Sequence, residues 1–398
     1  MFLKIATKMS KSAIKSGIKF QFSTAAAMDK KLFTPGPLGT SGTVKKAMLR
    51  DLGSRDVEFI NTVKYIREQL LHIAGVSSTK FTAIPLQGSG TYAIEGVLQT
   101  ATPRIGGKVL VIANGAYGMR MHKICEVANI PVHMLWFRDD RMVDLNEIED
   151  HMKCHSYSVV ACVHSETSSG VLNPVESIGQ LVKKYCVDAE FFVDAMSSFG
   201  AIPLEIENVG ATYVVSSANK CLEGVPGFSF AIAAKDSLNK SKGNSRSISL
   251  DLYDQYKGLE SCGQFRFTPP THTILAFKQA LEEFIAEGGV TARGKRYQEN
   301  NKLLREGMKK LGFKELVPSD HTGFIITSFH YPNDPQFKFS TFYSKLNELD
   351  QVIYPGKLTQ ADCFRIGNIG HIFPQDIAHL LKCIKKVCKE MFISIPVT

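Results

Sequence analysis

An α/β fold is predicted for the 398 residues, with a mainly parallel sheet covered by helices in a large domain and a smaller C-terminal α+β domain. Three observations carry that prediction. Short β-rich apolar runs alternate with segments of helical periodicity, the pattern of a parallel sheet with helices on its faces. Polar and glycine-rich residues gather at the carboxyl ends of those runs, the edge where open α/β sheets bind ligands. The chain is longer than one core usually serves, which points to two domains.

The apolar runs cover 108–113, 158–164, 191–194, 211–216 and 228–234. Between two of them lies a helix: Asn173 is placed to cap it, Pro174 suits its first turn, and Ile178, Leu181, Val182 and Tyr185 form its apolar stripe. Residues 235–262, with Lys240-Ser241-Lys242-Gly243-Asn244-Ser245, read as an irregular excursion. A long helix is expected from 274 to Gly288-Gly289 and a second from 291 past Leu303-Leu304. Strands at 323–329 and 363–367 and helices at 340–348 and 375–390 complete the C-terminal part. The expected division is a leader at 1–28, a large domain at 29–290 and a small domain at 291–398.

A hydrophobic share of 44% and a charged share of 21% describe an ordinary globular chain rather than a disordered one. Nine cysteines without a Cys-x-x-Cys pair argue for reduced thiols. His151-Met152-Lys153-Cys154-His155 lacks a second ligand pair at zinc spacing, so no metal site is expected.

The net charge of +9 is unevenly placed: residues 1–28 hold Lys4, Lys8, Lys11, Lys15 and Lys19 with no acid, and taking those five away leaves +4 for the rest. Nucleic-acid and membrane partners are therefore not expected. On a helix the five lysines fall in one quadrant, opposite Phe2, Ala6, Met9, Ala13 and Phe20. That amphipathic cationic leader reads as a mitochondrial transit peptide and a matrix location, with a flexible leader on a cytoplasmic protein as the alternative.

The chemistry centres on two residues. Asp194 closes the apolar run Phe191-Phe192-Val193, and Lys220 follows Ser216-Ser217-Ala218-Asn219 at the end of another. A Schiff-base lysine and an acid to partner a pyridinium nitrogen are what pyridoxal phosphate (PLP) needs to act as an electron sink. A surface Asp and a surface Lys are the alternative for each residue alone. Ser89-Gly90-Thr91 opens a helix-like run with small residues and two hydroxyls, which suits either a phosphate or a plain helix cap. Tyr117, in Asn114-Gly115-Ala116-Tyr117-Gly118, offers a ring at the ligand edge. Arg365 is a cation on an apolar strand, so it requires either an anionic substrate or an internal salt bridge.

Leu32-Phe33-Thr34-Pro35-Gly36-Pro37-Leu38, Leu86-Gln87-Gly88-Ser89-Gly90-Thr91, Asp251-Leu252-Tyr253-Asp254-Gln255 and Tyr354-Pro355-Gly356-Lys357 bear a family likeness, as do the segments 193–200, 216–228 and 264–272. In this order they resemble the class V branch of the fold-type-I PLP aminotransferases, over residues 32 to 391. The resemblance implies PLP held by Ser89, Gly90, Thr91, Tyr117, Thr167, Asp194 and Lys220, with Lys220 and Asp194 catalytic. It places Pro35 and Gly36 on the substrate side with Arg365. It also implies a homodimer with shared sites, in which Thr268 or Thr271 reaches the partner's cofactor phosphate. His164-Ser165-Glu166-Thr167-Ser168 departs from the family's His-x-Glu-Thr-Thr pattern, leaving Thr167 as the hydroxyl donor. The implied reaction is amino transfer from a phosphonate-bearing amine to pyruvate, with transfer from alanine to glyoxylate or from serine to pyruvate as the alternative.

Overall fold

In the computed structural model, which describes residues 29–356 and 362–397, a seven-stranded sheet forms the framework. Its strands are β1 (Phe81–Gln87), β2 (Val109–Ala113), β3 (Val132–Trp136), β4 (Val159–Val163), β5 (Glu190–Asp194), β6 (Tyr213–Ser217) and β7 (Phe228–Ala234). They lie in the order β1-β7-β6-β5-β4-β2-β3. Only β7 runs antiparallel to its neighbours.

Helices α1 (Val57–Ile73), α2 (Gly90–Ala101), α3 (Ala116–Val127), α4 (Leu145–Cys154), α5 (Val175–Tyr185), α6 (Leu252–Cys262) and α7 (Thr271–Glu287) accompany the sheet. Val111, Ala161, Phe192, Val214 and Phe230 from the strands share one apolar core with Ile94, Val97, Ile178 and Phe277 from the helices. The interior strands are buried throughout, so they read as continuous apolar runs rather than alternating ones.

Gly288 sits in the left-handed region at φ 109° and ends α7, after which α8 (Gly289–Lys310) leads into the C-terminal part. There an antiparallel sheet of β8 (Ile326–His330), β9 (Tyr354–Pro355) and β10 (Cys363–Gly367) has β10 at its centre. Helices α9 (Phe339–Glu348) and α10 (Pro374–Glu390) complete that part. Leu304, Phe329, Phe342, Phe364, Ile377 and Leu380 form a second core, which Phe33 joins from the other end of the chain. Phe33 is drawn there because Lys31–Leu32 pairs in parallel with Gln351–Val352 and Gly367 N–H donates to the Phe33 carbonyl at 3.0 Å.

Three sequence expectations need correction. Residues 235–262 are not irregular: a short helix at Lys235–Lys240 and α6 occupy most of them, and the Asp251 carboxylate caps α6 by accepting from Asp254 N at 3.1 Å. Asn173 is not the cap of α5, whose preceding residue is Pro174; its side-chain amide donates instead to Val163 O and Asn114 Oδ1, each at 2.9 Å. The strands β1 and β3 were not expected at all. Both are sheet edges, where Pro85 is tolerated in β1 and where β3 is only half-buried. The leader 1–28 and Lys357 lie outside the described residues. Among the described residues no helix is long and apolar enough to cross a membrane.

Candidate active site

The carboxyl ends of the parallel strands assemble the site. Asp194 is the last residue of β5, Lys220 comes three residues after β6, Asn114-Gly115 follows β2 and His164 follows β4. Asp194 is 1% exposed, and its Oδ1 accepts from Met196 N at 2.8 Å. Burial pushes its carboxyl up to about 7, helped by the negative charge of Glu166 and opposed by Lys220 and Arg120. Lys220 is 8% exposed and donates from Nζ to Pro35 O at 2.5 Å. Gly36 makes that approach possible: its φ of +117° suits glycine, and a Cβ there would stand 2.8 Å from Lys220 Cδ.

Arg365, at the centre of β10, is buried and uses its fork on backbone carbonyls, Nε to Pro355 O at 3.0 Å and Nη1 to Thr167 O at 2.8 Å. Among the described residues no carboxylate pairs with it, which removes the internal salt bridge as an explanation of its burial. Burial lowers its pKa, with Tyr117 among the groups that raise it again. Thr167 also shares a hydrogen bond of 2.6 Å with Ser197 Oγ. Tyr117, in the first turn of α3, has its hydroxyl pKa raised by burial and faces both Arg365 and Arg120.

Ser89 precedes α2 and makes no side-chain capping bond, leaving its hydroxyl for another acceptor. Thr91 accepts from Arg120 Nη1 at 3.2 Å, while the Arg120 guanidinium lies 4.7 Å from the Tyr117 ring centre. Gly90 packs on Met196, whose side chain occupies the space a Cβ would need. The structure thus sets Lys220 against Pro35 and Gly36 and Arg365 against Thr167, joins Tyr117 and Thr91 through Arg120, and holds Asp194 within electrostatic reach of Lys220, Arg120 and Tyr117. Thr268 does not share that burial: it is exposed on the loop before α7, its carbonyl held by Gln87 Nε2 at 3.1 Å, and Thr271 opens α7 half-buried.

Sequence reasoning missed Arg120 and Ser197. Arg120 lies three residues after Tyr117 on the same helix face, and that i,i+3 spacing was the available signal. His164 is buried with Nδ1 unpartnered among the described residues, and burial holds its imidazole down at about 4, hence neutral.

These residues fit PLP. A buried carboxyl raised by desolvation favours a cationic ring nitrogen as its partner, and Ser198 Oγ and His164 Nδ1 are buried polar atoms without partners among the described residues. The twelve-residue α2 presents its N-terminus beside an unspent hydroxyl, which suits a phosphate.

Fold and site together define a PLP-type transferase, and the aminotransferase class-V family model matches residues 41–336, so the chain belongs to the class V aminotransferases. It is 47% identical over 363 residues to the 2-aminoethylphosphonate–pyruvate transaminase of Phocaeicola vulgatus, covering 90% of this chain and 99% of that protein. It is 48% identical over 358 residues to the enzyme of the same name from Salmonella paratyphi C, covering 89% and 96%. Among solved structures, Bacillus subtilis ureidoglycine–glyoxylate aminotransferase superposes with a TM-score of 0.84 at 21% identity over 94% of this chain and 96% of that one. Alanine–glyoxylate aminotransferase from Nostoc sp. gives 0.83 at 23% identity over 92% and 97%. At those identities the two structures speak to the fold alone.

The same relatives correct one expectation. The Phocaeicola vulgatus and Salmonella paratyphi C enzymes, which match across nearly their whole length, are bacterial, and a bacterium has no mitochondrial matrix. The mitochondrial location expected from the five leader lysines is overturned by these relatives.

Proposed function

We propose that the protein transfers the amino group of 2-aminoethylphosphonate to pyruvate, giving phosphonoacetaldehyde and L-alanine, with PLP as cofactor. The observation that carries this reading is a fully buried Arg365, without a carboxylate partner among the described residues, which bonds Thr167 O and acts electrostatically on Tyr117, a ring that Asp194 also influences. A guanidinium fork accepts a phosphonate or a carboxylate equally well in geometry, so one residue serves both substrates in turn.

PLP supplies an electron sink for the bonds of the amine-bearing carbon. Asp194 would hold the ring nitrogen in its protonated form, and the cation would in turn draw that carboxyl back to its ionised state. Tyr117 would lie against the ring, Thr167 would offer its hydroxyl, and Ser89, Gly90 and Thr91 would hold the phosphate. Lys220 would hold the cofactor through its side-chain nitrogen, and that nitrogen would move the proton at the amine-bearing carbon. The Lys220 nitrogen is kept beside the Pro35 carbonyl, which orients it.

The reading extends to a homodimer with shared sites. Leu49, Val57, Tyr92 and Phe267 are large apolar residues between 43% and 82% exposed, and Thr268, beside Phe267, would reach the partner's cofactor phosphate. We place the domain boundary near residue 290, at the Gly288-Gly289 break between α7 and α8. Incubating the PLP-loaded protein with pyruvate and a series of amino donors tests the substrate: alanine should form from 2-aminoethylphosphonate, and turnover with serine alone would reject the assignment.

A further inference from the structure

Beneath the Lys220 turn lies a cluster of charges that the reaction above does not use. Glu223 is 6% exposed and sits at φ 56°, a left-handed conformation unfavourable for a residue with a side chain. Its Oε1 accepts from Tyr297 Oη at 2.5 Å and from Arg296 Nη2 at 2.7 Å, with Arg293 Nη1 at 3.5 Å. Arg293, 2% exposed, also donates from Nη1 to Cys221 O at 2.5 Å, so the turn carrying Lys220 is gripped at two successive points. Glu287 closes the cluster, accepting from Arg293 Nε at 2.6 Å and from Arg296 Nε at 2.7 Å.

The other side of the cluster holds the segment that leaves β10. Arg296 Nη1 donates to Gly370 O at 2.8 Å and Ile372 O at 3.0 Å, and Gly370 N–H donates to Tyr297 Oη at 3.1 Å. Asn368 donates to Tyr297 O at 3.0 Å, and β10, which carries Arg365, ends at Gly367. One helix, α8, therefore grips both the turn that carries Lys220 and the exit of the strand that carries Arg365.

Burial works to raise the Glu287 carboxyl, but the hydrogen bond and charge of Arg296 and the charge of Arg293 hold it below the usual range. Such a cluster is costly to bury and fixes geometry when fully paired. Its contribution lies in placement, because none of its members is assigned a contact with substrate.

We propose that Glu223, Arg296 and Tyr297 form a positioning latch that fixes the Lys220 nitrogen relative to Arg365. This rests on the reading of Lys220 and Arg365 given above. The distance between the group that moves the proton and the group that holds the substrate anion is set by this latch, and misplacement of about 1 Å costs on the order of a hundredfold in rate.

Glu223→Gln drops the charge and keeps an oxygen for Tyr297; Arg296→Lys keeps the charge and loses the fork to Gly370 and Ile372. In the PLP-loaded enzyme each should lower kcat for alanine formation by about tenfold to a hundredfold with a smaller change in KM. Each should also shift the pH midpoint of the bound cofactor's visible absorbance. A lower melting temperature with wild-type kcat and an unmoved midpoint would overturn the latch and leave the cluster as a stabiliser only. Should either variant fail to fold, Tyr297→Phe, which removes one hydroxyl, carries the same three readouts. Wild-type enzyme that binds PLP but makes no alanine from 2-aminoethylphosphonate would overturn the substrate reading alone, and the absorbance midpoint would still decide the latch.

Discussion

The side-chain nitrogen of Lys220 donates to the carbonyl oxygen of Pro35 at 2.5 Å, across 185 positions of sequence. Pro35 belongs to the N-terminal segment that also threads Phe33 into the second core. The lysine is thus set against a strut whose own position is fixed by the C-terminal part of the molecule, and the neighbouring Gly36 leaves no room for a side chain between them.

Gly36→Ala should therefore act on catalysis more than on folding. A Cβ would meet Lys220 Cδ at 2.8 Å and the backbone oxygen of Asn219 at 2.9 Å, at a φ of +117°. The strain is about 1–3 kcal/mol, and displacement of the lysine costs on the order of a hundredfold in kcat. Gly39→Ala, where no atom lies within 4 Å of the new Cβ, is the control and should keep wild-type kcat. Equal kcat in both variants would remove the Gly36 contact from the argument.

Lys220→Ala should abolish alanine formation and the visible absorbance of attached cofactor while the protein still folds. The side chain is buried but is one of many contacts in the turn, whose backbone bond from Glu223 N to Lys220 O at 2.8 Å is untouched. Spectra and steady-state rates of the purified variant decide this; a yellow, active variant would sink the assignment.

What was legible in the sequence follows from what each residue needs from its neighbours. Interior strands such as β4 and β6 announce themselves because both faces are buried and every position is apolar or small. The edges β1 and β3 do not: Pro85 argues against a strand, and Val132–Trp136 mixes polar with apolar residues because it is covered only in part. Asp194 and Lys220 could be read because each closes a strand on the ligand edge. Arg120 offered only its i,i+3 spacing from Tyr117, because its role depends on α2 bringing Thr91 to 3.2 Å from it. The Glu223 cluster was hidden for the same reason, joining residues separated by up to 76 positions through α8.

Arg365→Lys should separate charge from geometry. Lysine keeps the cation but cannot hold Pro355 O and Thr167 O while presenting a planar fork. KM for both 2-aminoethylphosphonate and pyruvate should rise, by about tenfold to a hundredfold for a loss of roughly 1.5–3 kcal/mol in a charged hydrogen bond. The cofactor's absorbance should stay as in the wild type. A rise in KM for only one substrate would show that the two anions are held at different places.

Asp194 also predicts how the cofactor-free protein responds to pH. Its carboxyl, held at about 7 by burial, lies above the ordinary 3.8, so its contribution to stability is fully present below about 4 and is lost as pH rises through 7. His164 works in the opposite sense: held at about 4 against an ordinary 6.5, it stabilises above 6.5 and its contribution is lost as pH falls towards 4. The two slopes oppose each other in that window, so the wild-type curve alone cannot assign either. Asp194→Asn removes one of them, because asparagine stays neutral throughout. In thermal melts without PLP, the variant should gain on the wild type steadily from pH 4 to 7.5, at about 1.4 kcal/mol for each unit by which the native carboxyl is raised. With PLP added the order should reverse above pH 7, since a cationic ring nitrogen stabilises the ionised carboxylate and asparagine cannot supply that charge. Parallel curves in the absence of PLP would show that the Asp194 carboxyl is not raised, and an unreversed order in its presence would show that it does not face the ring nitrogen.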